Sequence, residues 1–335
     1  MIGRPTMNDV ASDAGVSLKT VSRVVNNVAT VDPELVAKVF ASIKSLGYRR
    51  NGIAASLRAG GETRMIGLIT EDLSNTFYIT LASAVAKVAR ARGFQVIMAS
   101  SEEDPEIERE LALDLCQRRV SGLLVVPTSA DHHYLQAEMD LGVAVVFIDR
   151  PGSGLDADAI LVDNQGGARS AVERLISNGH RRIGLLMDSL SIYTMRERLA
   201  GARDALAAAG ADDDPALLVE NVHAPDDAAS AVRAMLDLAE PPTAILCGNN
   251  RSTIGAVEEV WRSRASIEIV GFDDFEMSRL LPQPVTIVDY DTSALGTRAA
   301  ERLFDRIDGI ASEPFEQLLP THLVDRGVSW ALAPS

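Results

Sequence analysis

The stretch TMNDVASDAGVSLKTVSRVVN, Thr6 to Asn26, gathers hydroxyl and amide side chains around one lysine and one arginine. Ser17, Thr20, Ser22 and Asn26 carry small hydrogen-bonding groups, and Lys19 and Arg23 fall four residues apart, on one helical face. Small side chains permit close approach to a sugar–phosphate backbone, and their hydroxyls or amides, with that of Thr6, can bond phosphate oxygens. Arg23 suits a bidentate contact to guanine, Lys19 can donate to guanine acceptors, and Leu18 can meet a thymine methyl. The competing reading is an amphipathic helix with a solvated charged face, which is what an isolated Lys-x3-Arg pair usually means.

These groups need a rigid mount. Thr6 and Asp9 have the spacing of a capping box for a helix to Ala14, Gly15 breaks it, and Ser17 caps a second helix, Leu18 to Asn26. Val21, Val24 and Val25 of that helix face inward. Asp32-Pro33 opens a third helix that Gly47 ends, with an apolar stripe of Val36, Val39, Phe40, Ile43 and Leu46. A helix-turn-helix pair of this kind presents its second helix to the major groove. Asn51 then caps a short helix through Leu57, followed by the flexible Gly60-Gly61.

The net charge of −15 taken alone opposes nucleic acid, but its distribution does not. Residues 1–61 hold eight Lys/Arg and four Asp/Glu, a net of +4, which leaves −19 for the rest. A basic head on an acidic body confines phosphate contact to the head. The N-terminus lacks a secretory pattern and no apolar run is long enough to span a bilayer, so a cytoplasmic protein without membrane contact is expected. Cys116 and Cys247 read as buried free thiols, and His132-His133 as an exposed loop pair without metal-ligand spacing. No nucleophile–base pair and no phosphate-cradling loop stand out, so neither catalysis nor a cofactor is expected.

From Met65 the texture is α/β. Apolar, β-branched runs (MIGLI, FQVIMAS, GLLVVP, AVVFID, RIGLLM, LLVENV, TAILCG, IEIVGF, TIVDY) alternate with helical stretches expected at 79–92, 105–118, 166–178, 197–209, 228–238 and 253–262. That rhythm predicts two doubly wound parallel sheets covered on both faces. Ligands of such sheets sit at the carboxyl ends of strands. The candidates there are Asn75, Phe77 and Tyr78 after the first strand, Asp149 and Arg150, Arg196 and Arg198, Asn249, and Asp273. Asp, Asn and Arg supply the donors and acceptors that sugar hydroxyls require, and aromatics rest against a ring's apolar face. Asp149–Arg150 and Asp273 also fit structural ion pairs at a lobe seam, and Phe77 and Tyr78 fit a core.

The head resembles that of the LacI/GalR-type family of bacterial regulators. The matching residues are Asp9-Val10-Ala11, Ala14-Gly15-Val16-Ser17, Thr20-Val21-Ser22-Arg23-Val24 and Asn26, followed by Tyr48-Arg49-Arg50-Asn51-Gly52-Ile53-Ala54-Ala55-Ser56-Leu57, with Arg50 where proline is usual. The resemblance implies that Leu18 and Lys19 choose the operator, that Asn51, Ala54 and Leu57 contact DNA from a hinge helix, and that Leu57 wedges into the minor groove. The body resembles the periplasmic sugar-binding (type I) fold this family carries. Its signposts are Asp72 to Tyr78, Val120-Ser121-Gly122-Leu123, Asp163-Asn164, Gly179 to Gly184, Gly271-Phe272-Asp273-Asp274 and Arg326. Thr76 stands where proline is usual, Tyr290 where a glutamine is often found, and the segment between Trp261 and Ile267 is short.

The resemblance implies a head at 1–48, a hinge helix and linker at 49–63, and an effector domain at 64–335 with lobes at 64–162 plus 290–325 and at 163–289. Its function would be a ligand-responsive repressor that binds a palindromic operator as a homodimer. Without a heptad tail a dimer is expected over a tetramer. The effector would be a ribose-like or other monosaccharide held by the candidates above and Tyr290. A purine sensor, a transport receptor without a DNA role, and an enzyme on the same scaffold are the rivals.

Overall fold

The computed structural model describes residues 5–26, 28, 30–48, 63–128, 131–211, 213–281, 283–310 and 313–327. The chain divides into two compact units, Met1–Thr63 and Arg64–Ser335.

In the first unit, α1 (Met7–Ala14), α2 (Leu18–Val25) and α3 (Pro33–Leu46) begin and end where the capping residues require. Thr6 and Asp9 form a reciprocal capping box, Ser17 Oγ accepts the Thr20 N–H, and Asp32 caps α3 ahead of Pro33. Gly15, at φ 65°, turns the chain from α1 into α2 through the left-handed region that glycine enters at little cost. Val10, Ala11, Val21, Val24 and Val39 form the core. Phe40, expected in that core, is 50% exposed. It lies one residue, about 100° of helix rotation, from Val39. Ser42 is buried instead, with its Oγ donating to Val10 O (3.3 Å) and Asp13 Oδ2 (2.6 Å), which ties α3 to α1. The expected hinge residues Asn51, Ala54 and Leu57 lie outside the described residues.

In the second unit, β1 (Met65–Thr70), β2 (Gln95–Ser100), β3 (Gly122–Val125), β4 (Ala144–Asp149), β5 (Asp158–Val162) and β11 (Glu316–Leu319) form one sheet. Its order is β11-β5-β4-β3-β1-β2, parallel throughout. β6 (Ile183–Leu186), β7 (Leu218–Val219), β8 (Ala244–Cys247), β9 (Glu268–Phe272), β10 (Val285–Asp289) and β12 (His322–Arg326) form the other, in the corresponding order β12-β10-β9-β8-β6-β7. β12 is antiparallel to β10, so 322–325, expected with the first lobe, pairs with the second. Arg326 holds it there, donating to Asp274 (2.6 Å) and Asp289 (3.3 Å).

Helices α4 (Thr76–Ala91) and α5 (Pro105–Gln117) cover the first sheet, and the short α6 (Gln136–Asp140) precedes β4. Helices α7 (Asn164–Ser177), α8 (Tyr193–Ala208), α9 (Pro225–Leu236) and α10 (Asn250–Ser263) cover the second. α11 (Thr292–Ile307), which the strand–helix rhythm did not reveal, returns to pack on α4 and β4. Several helices start two to four residues before the expected position; the first turns of α7, α9 and α10 are polar and carry no apolar period. Asn75, Asp163 and Asn249 cap α4, α7 and α10 by accepting the N–H of Phe77, Gly166 and Ser252. α7 and α8 pack closely at Gly201, where a Cβ would meet Gln165 O at 2.0 Å. The chain passes between lobes at 163, 290–291 and 320–321. Both cysteines are buried and free.

Candidate nucleic-acid interface and ligand cleft

On α2, Val21 and Val24 are buried while Leu18, Lys19 and Arg23 are exposed, Leu18 at 47%. The core therefore fixes which face the helix presents. Ser17 Oγ and Thr20 Oγ1 lie 2.9 Å apart, and Asn26 Nδ2 donates to Ser22 Oγ at 3.4 Å. Thr6 Oγ1 donates to Asp9 Oδ2 at 2.7 Å, so the Thr6 hydroxyl belongs to its cap. Arg23 Nη2 donates to Thr30 Oγ1 at 2.5 Å, which steadies the guanidinium against the turn that follows the helix.

In the second unit, Asp149 ends β4 and Asp273 follows β9, the third strand of each sheet in the matching orders. Both residues take left-handed backbone conformations, φ 69° and 67°. Such strain in non-glycine residues persists only where the surroundings hold it. Two guanidinium networks do so. Arg198, buried on α8, donates to Asn164 Oδ1 (2.8 Å), Gly248 O (2.5 Å) and both Asp273 oxygens (3.0 and 3.3 Å), and lies 3.6 Å from the Phe272 ring centre. Tyr290 Oη donates to Asp273 Oδ1 at 2.7 Å. In the first lobe, Arg150 donates to Glu71 (2.7 Å), Glu103 (2.5 Å) and Pro127 O (2.9 Å), and Tyr78 Oη donates to Glu71 at 2.8 Å. Phe77 meets Tyr78 and Tyr290 edge-on, at 4.8 and 6.2 Å between ring centres.

Burial governs the charges here. It pushes the Asp149 carboxyl up to about 6, against the pull of Arg150 and Arg198. It also lifts Glu103 to about 7, with Glu71 adding to the rise and Arg150 opposing it. Burial works against the charge on Arg150, but Tyr78, Glu103 and Glu71 outweigh it and its pKa rises. The Tyr78 and Tyr290 hydroxyls are pushed well up by burial.

Nine of the ten candidate positions line one cleft between the lobes. Arg196 does not. It sits in the first turns of α8, donates to Leu190 O (3.1 Å) and Ser191 O (2.7 Å), and lines a separate cavity. Asn75 and Asn249 line the cleft but spend one oxygen each as helix caps. The sequence reading missed Glu71, Glu103, Asp188, His223, Asn250 and Arg251. Glu71 follows β1 directly and Asp188 lies just beyond β6, so the strand-end rule would have found both. Asn250 and Arg251 span the cleft: Asn250 Nδ2 donates to Asn75 Oδ1 (3.0 Å) and Arg251 to Asp72 (2.7 Å). The space left within this cleft is about 50 Å³. Small-molecule pockets run to about 300–1,000 Å³, so the lobes must part to admit a ring.

His132, expected exposed, is fully buried, because its Nδ1 accepts the Ser153 N–H (3.1 Å) and its Nε2 lies 3.0 Å from Glu108. Among the described residues no group of His, Cys, Asp and Glu is arranged to hold a metal ion, and no helix is long and apolar enough to cross a membrane.

A three-helix head and two matched α/β lobes closing on a polar cleft define the class. Residues 6–51 match the family described as bacterial regulatory proteins, lacI family. Residues 63–324 match periplasmic binding proteins and sugar binding domain of LacI family. The chain belongs to the LacI family and is a DNA-binding transcriptional regulator rather than an enzyme. It is 32% identical to the HTH-type transcriptional regulator CelR of Thermobifida fusca, over 96% of this chain and 98% of that protein. It is 29% identical to the HTH-type transcriptional repressor PurR of Aliivibrio salmonicida (strain LFI1238), over 90% and 92%. The lac repressor dimer bound to operator and the anti-inducer ONPF superposes with a TM-score of 0.82 at 30% identity, covering 98% of this chain and all of that one.

Proposed function

We propose that the protein is a cytoplasmic repressor that grips a two-fold symmetric operator as a homodimer and answers to a sugar bound between its lobes. The exposed face of α2 enters the major groove. Leu18, Lys19 and Arg23 meet base edges, while Ser17, Thr20, Ser22 and Asn26 position the head on phosphates; Thr6, whose N–H and hydroxyl both donate to Asp9, serves as the cap of α1 and not as a phosphate contact. Asn51, Ala54 and Leu57 make the hinge contacts, with Leu57 opening a central base step.

In the cleft, Asp149, Arg150, Arg198 and Asp273 exchange part of their mutual hydrogen bonds for sugar hydroxyls. Asn75 and Asn249 add amide contacts, and Phe77, Tyr78 and Tyr290 offer faces to the ring. Arg196 does not touch this sugar. The observation that carries the reading is the Arg198–Asp273–Tyr290 network at the strand ends of the second lobe, facing Asp149 and Arg150 of the first. Guanidinium donors and carboxylate acceptors set side by side suit the hydroxyls of a sugar, which need both. The PurR relative keeps the purine reading in view.

Thermal denaturation with a panel of pentoses, hexoses and nucleobases tests it. At about a hundred times its dissociation constant the effector stabilises the fold by about 2.7 kcal/mol. Stabilisation by a sugar, lost in Arg198→Ala, supports the reading; stabilisation by a nucleobase alone replaces it with the purine one.

A further inference from the structure

Asp149 ends β4 with its side chain 7% exposed and lines the cleft, yet among the described residues no donor reaches its carboxylate. The neighbouring Arg150 brings its Nε only to 3.8 Å, and that Nε is itself buried without an acceptor. A buried acceptor and a buried donor thus lie side by side without bonding each other, an arrangement that costs stability until a ligand meets them. Resting on the sugar reading, we infer that the effector is an amino sugar, whose ammonium group meets Asp149 and whose hydroxyl on the next ring carbon accepts from Arg150.

Charge decides between an ammonium and one more hydroxyl. Four carboxyl groups, Glu71, Glu103, Asp149 and Asp273, share two guanidiniums, Arg150 and Arg198, which leaves two negative charges unmatched when all are ionised. The other charges of the cleft have partners of their own: Asp188 faces His223 at 3.0 Å, and Arg251 donates to Asp72 at 2.7 Å. The tyrosines that face Asp149 are Tyr78, Tyr290 and Tyr193, and burial raises the pKa of each, so they stay neutral. The fold meets the surplus by holding protons. Burial, with Asp273 and Glu71 adding to it, pushes Asp149 up to about 6, and burial with Glu71 pushes Glu103 up to about 7. A hydroxyl would fill the hydrogen bond and leave the surplus; an ammonium brings three donors and a positive charge. In a cleft closed to water that charge is attracted more strongly than in solution.

The protein's own cations are spent elsewhere. Arg198 gives Nε to Asn164, Nη1 to Gly248 O and Asp273, and Nη2 to Asp273. Arg150 gives Nη1 to Glu103 and Pro127 O and Nη2 to Glu71. Neither guanidinium can turn to Asp149 without abandoning a buried carbonyl or carboxylate, which is a larger loss than the bond gained. Asp149 in turn is fixed by its left-handed backbone, φ 69°, at the end of a buried strand. The acceptor is therefore in place before the ligand arrives, which lowers the cost of ordering it on binding.

Calorimetry on the full chain tests the proposal with glucosamine, galactosamine and mannosamine against glucose, galactose and mannose, and against the N-acetylated form of each amine, which keeps the nitrogen and loses the charge. At least one amino sugar should bind roughly tenfold or more tightly than both its neutral counterparts. Pairing with the ammonium should also ionise Asp149 and Glu103. Titrations at about pH 6.5, between their two values, in buffers of different ionisation enthalpy should therefore show protons released by the amino sugar. Asp149→Asn, with a side chain that tolerates the left-handed backbone, should bring the ratio of amino-sugar to neutral-sugar affinity to about one. Glu103→Gln, which removes one surplus charge at Arg150, should lower that ratio by a smaller factor. Amino sugars binding no more tightly than their neutral counterparts, or a preference that survives Asp149→Asn or comes without proton release, would overturn it. Binding of no sugar at all would instead remove the sugar reading beneath it.

Discussion

Single residues carry two separable tasks, and each can be probed alone. Arg23 is exposed on α2 and steadied by Thr30, so its replacement should leave the head folded. Arg23→Ala should cost about 1–3 kcal/mol of operator affinity and relax preference at one base position, measured by anisotropy on a set of singly substituted duplexes. Equal weakening on all of them would make Arg23 a phosphate contact. In the body, one guanidinium, Arg150, serves Glu71, Glu103 and Asp149, with Tyr78 bonded to Glu71, so not every carboxyl there stays ionised comfortably. Glu103 has a folded pKa of about 7, raised from 4.5. The folded chain therefore holds a proton between those values that the unfolded chain releases, and stability falls as pH rises through that window. Asp149, raised to about 6, works in the same direction. The carboxylates held low, among them Asp158 and Asp274, act only at more acid pH. Chemical denaturation should thus show greater stability at pH 6 than at pH 8, and Glu103→Gln should flatten that slope; an unchanged slope in the variant would place its source elsewhere.

At the scale of elements, the sequence was most readable where a cap or a strand end is written in polar residues. Thr6, Ser17 and Asp32 announced the head helices, and β-branched runs announced most of both sheets. The strand-end rule placed eight of its nine candidates in the cleft because strand carboxyl ends converge in this fold, and Tyr290, the tenth candidate, came from the family resemblance. Arg196 failed for a helical reason. It is two residues from Arg198, so the two side chains leave α8 on different faces and reach different cavities. His132 failed because its partners are distant in sequence: Glu108 lies 24 residues before it and Ser153 21 after it. The partnership between lobes was equally hidden, since Asn75–Asn250 and Asp72–Arg251 join residues about 175 positions apart. These contacts latch the start of α10 to the loop before α4. Arg251 and Asp72 are partly exposed, at 30% and 25%, so their pairing contributes modestly. Arg251→Ala should weaken effector binding by about two- to fivefold through a less favoured closed state, with no change in DNA affinity when ligand is absent. Calorimetry and anisotropy on the same preparation would measure both, and an unaltered effector affinity would show that the latch does not set closure.

For the whole molecule, the reading joins a basic head to an acidic sensor through 49–63, and the coupling is thermodynamic. A sugar can change operator affinity only as far as it distinguishes the DNA-competent state from the other, and about 1–3 kcal/mol of coupling changes affinity 5- to 150-fold. The same coupling makes operator DNA change sugar affinity by the same factor. A dimer also imposes symmetry on its site, because two copies of α2 related by a two-fold axis read the same half-site twice. The most direct measurement is selection of the full chain on a pool of random duplexes, followed by anisotropy on the enriched sequence with and without the sugar that stabilises the fold. The account predicts enrichment of a two-fold symmetric sequence whose affinity shifts with the sugar. Enrichment of no sequence, or of one without internal symmetry and indifferent to every stabilising ligand, would contradict it.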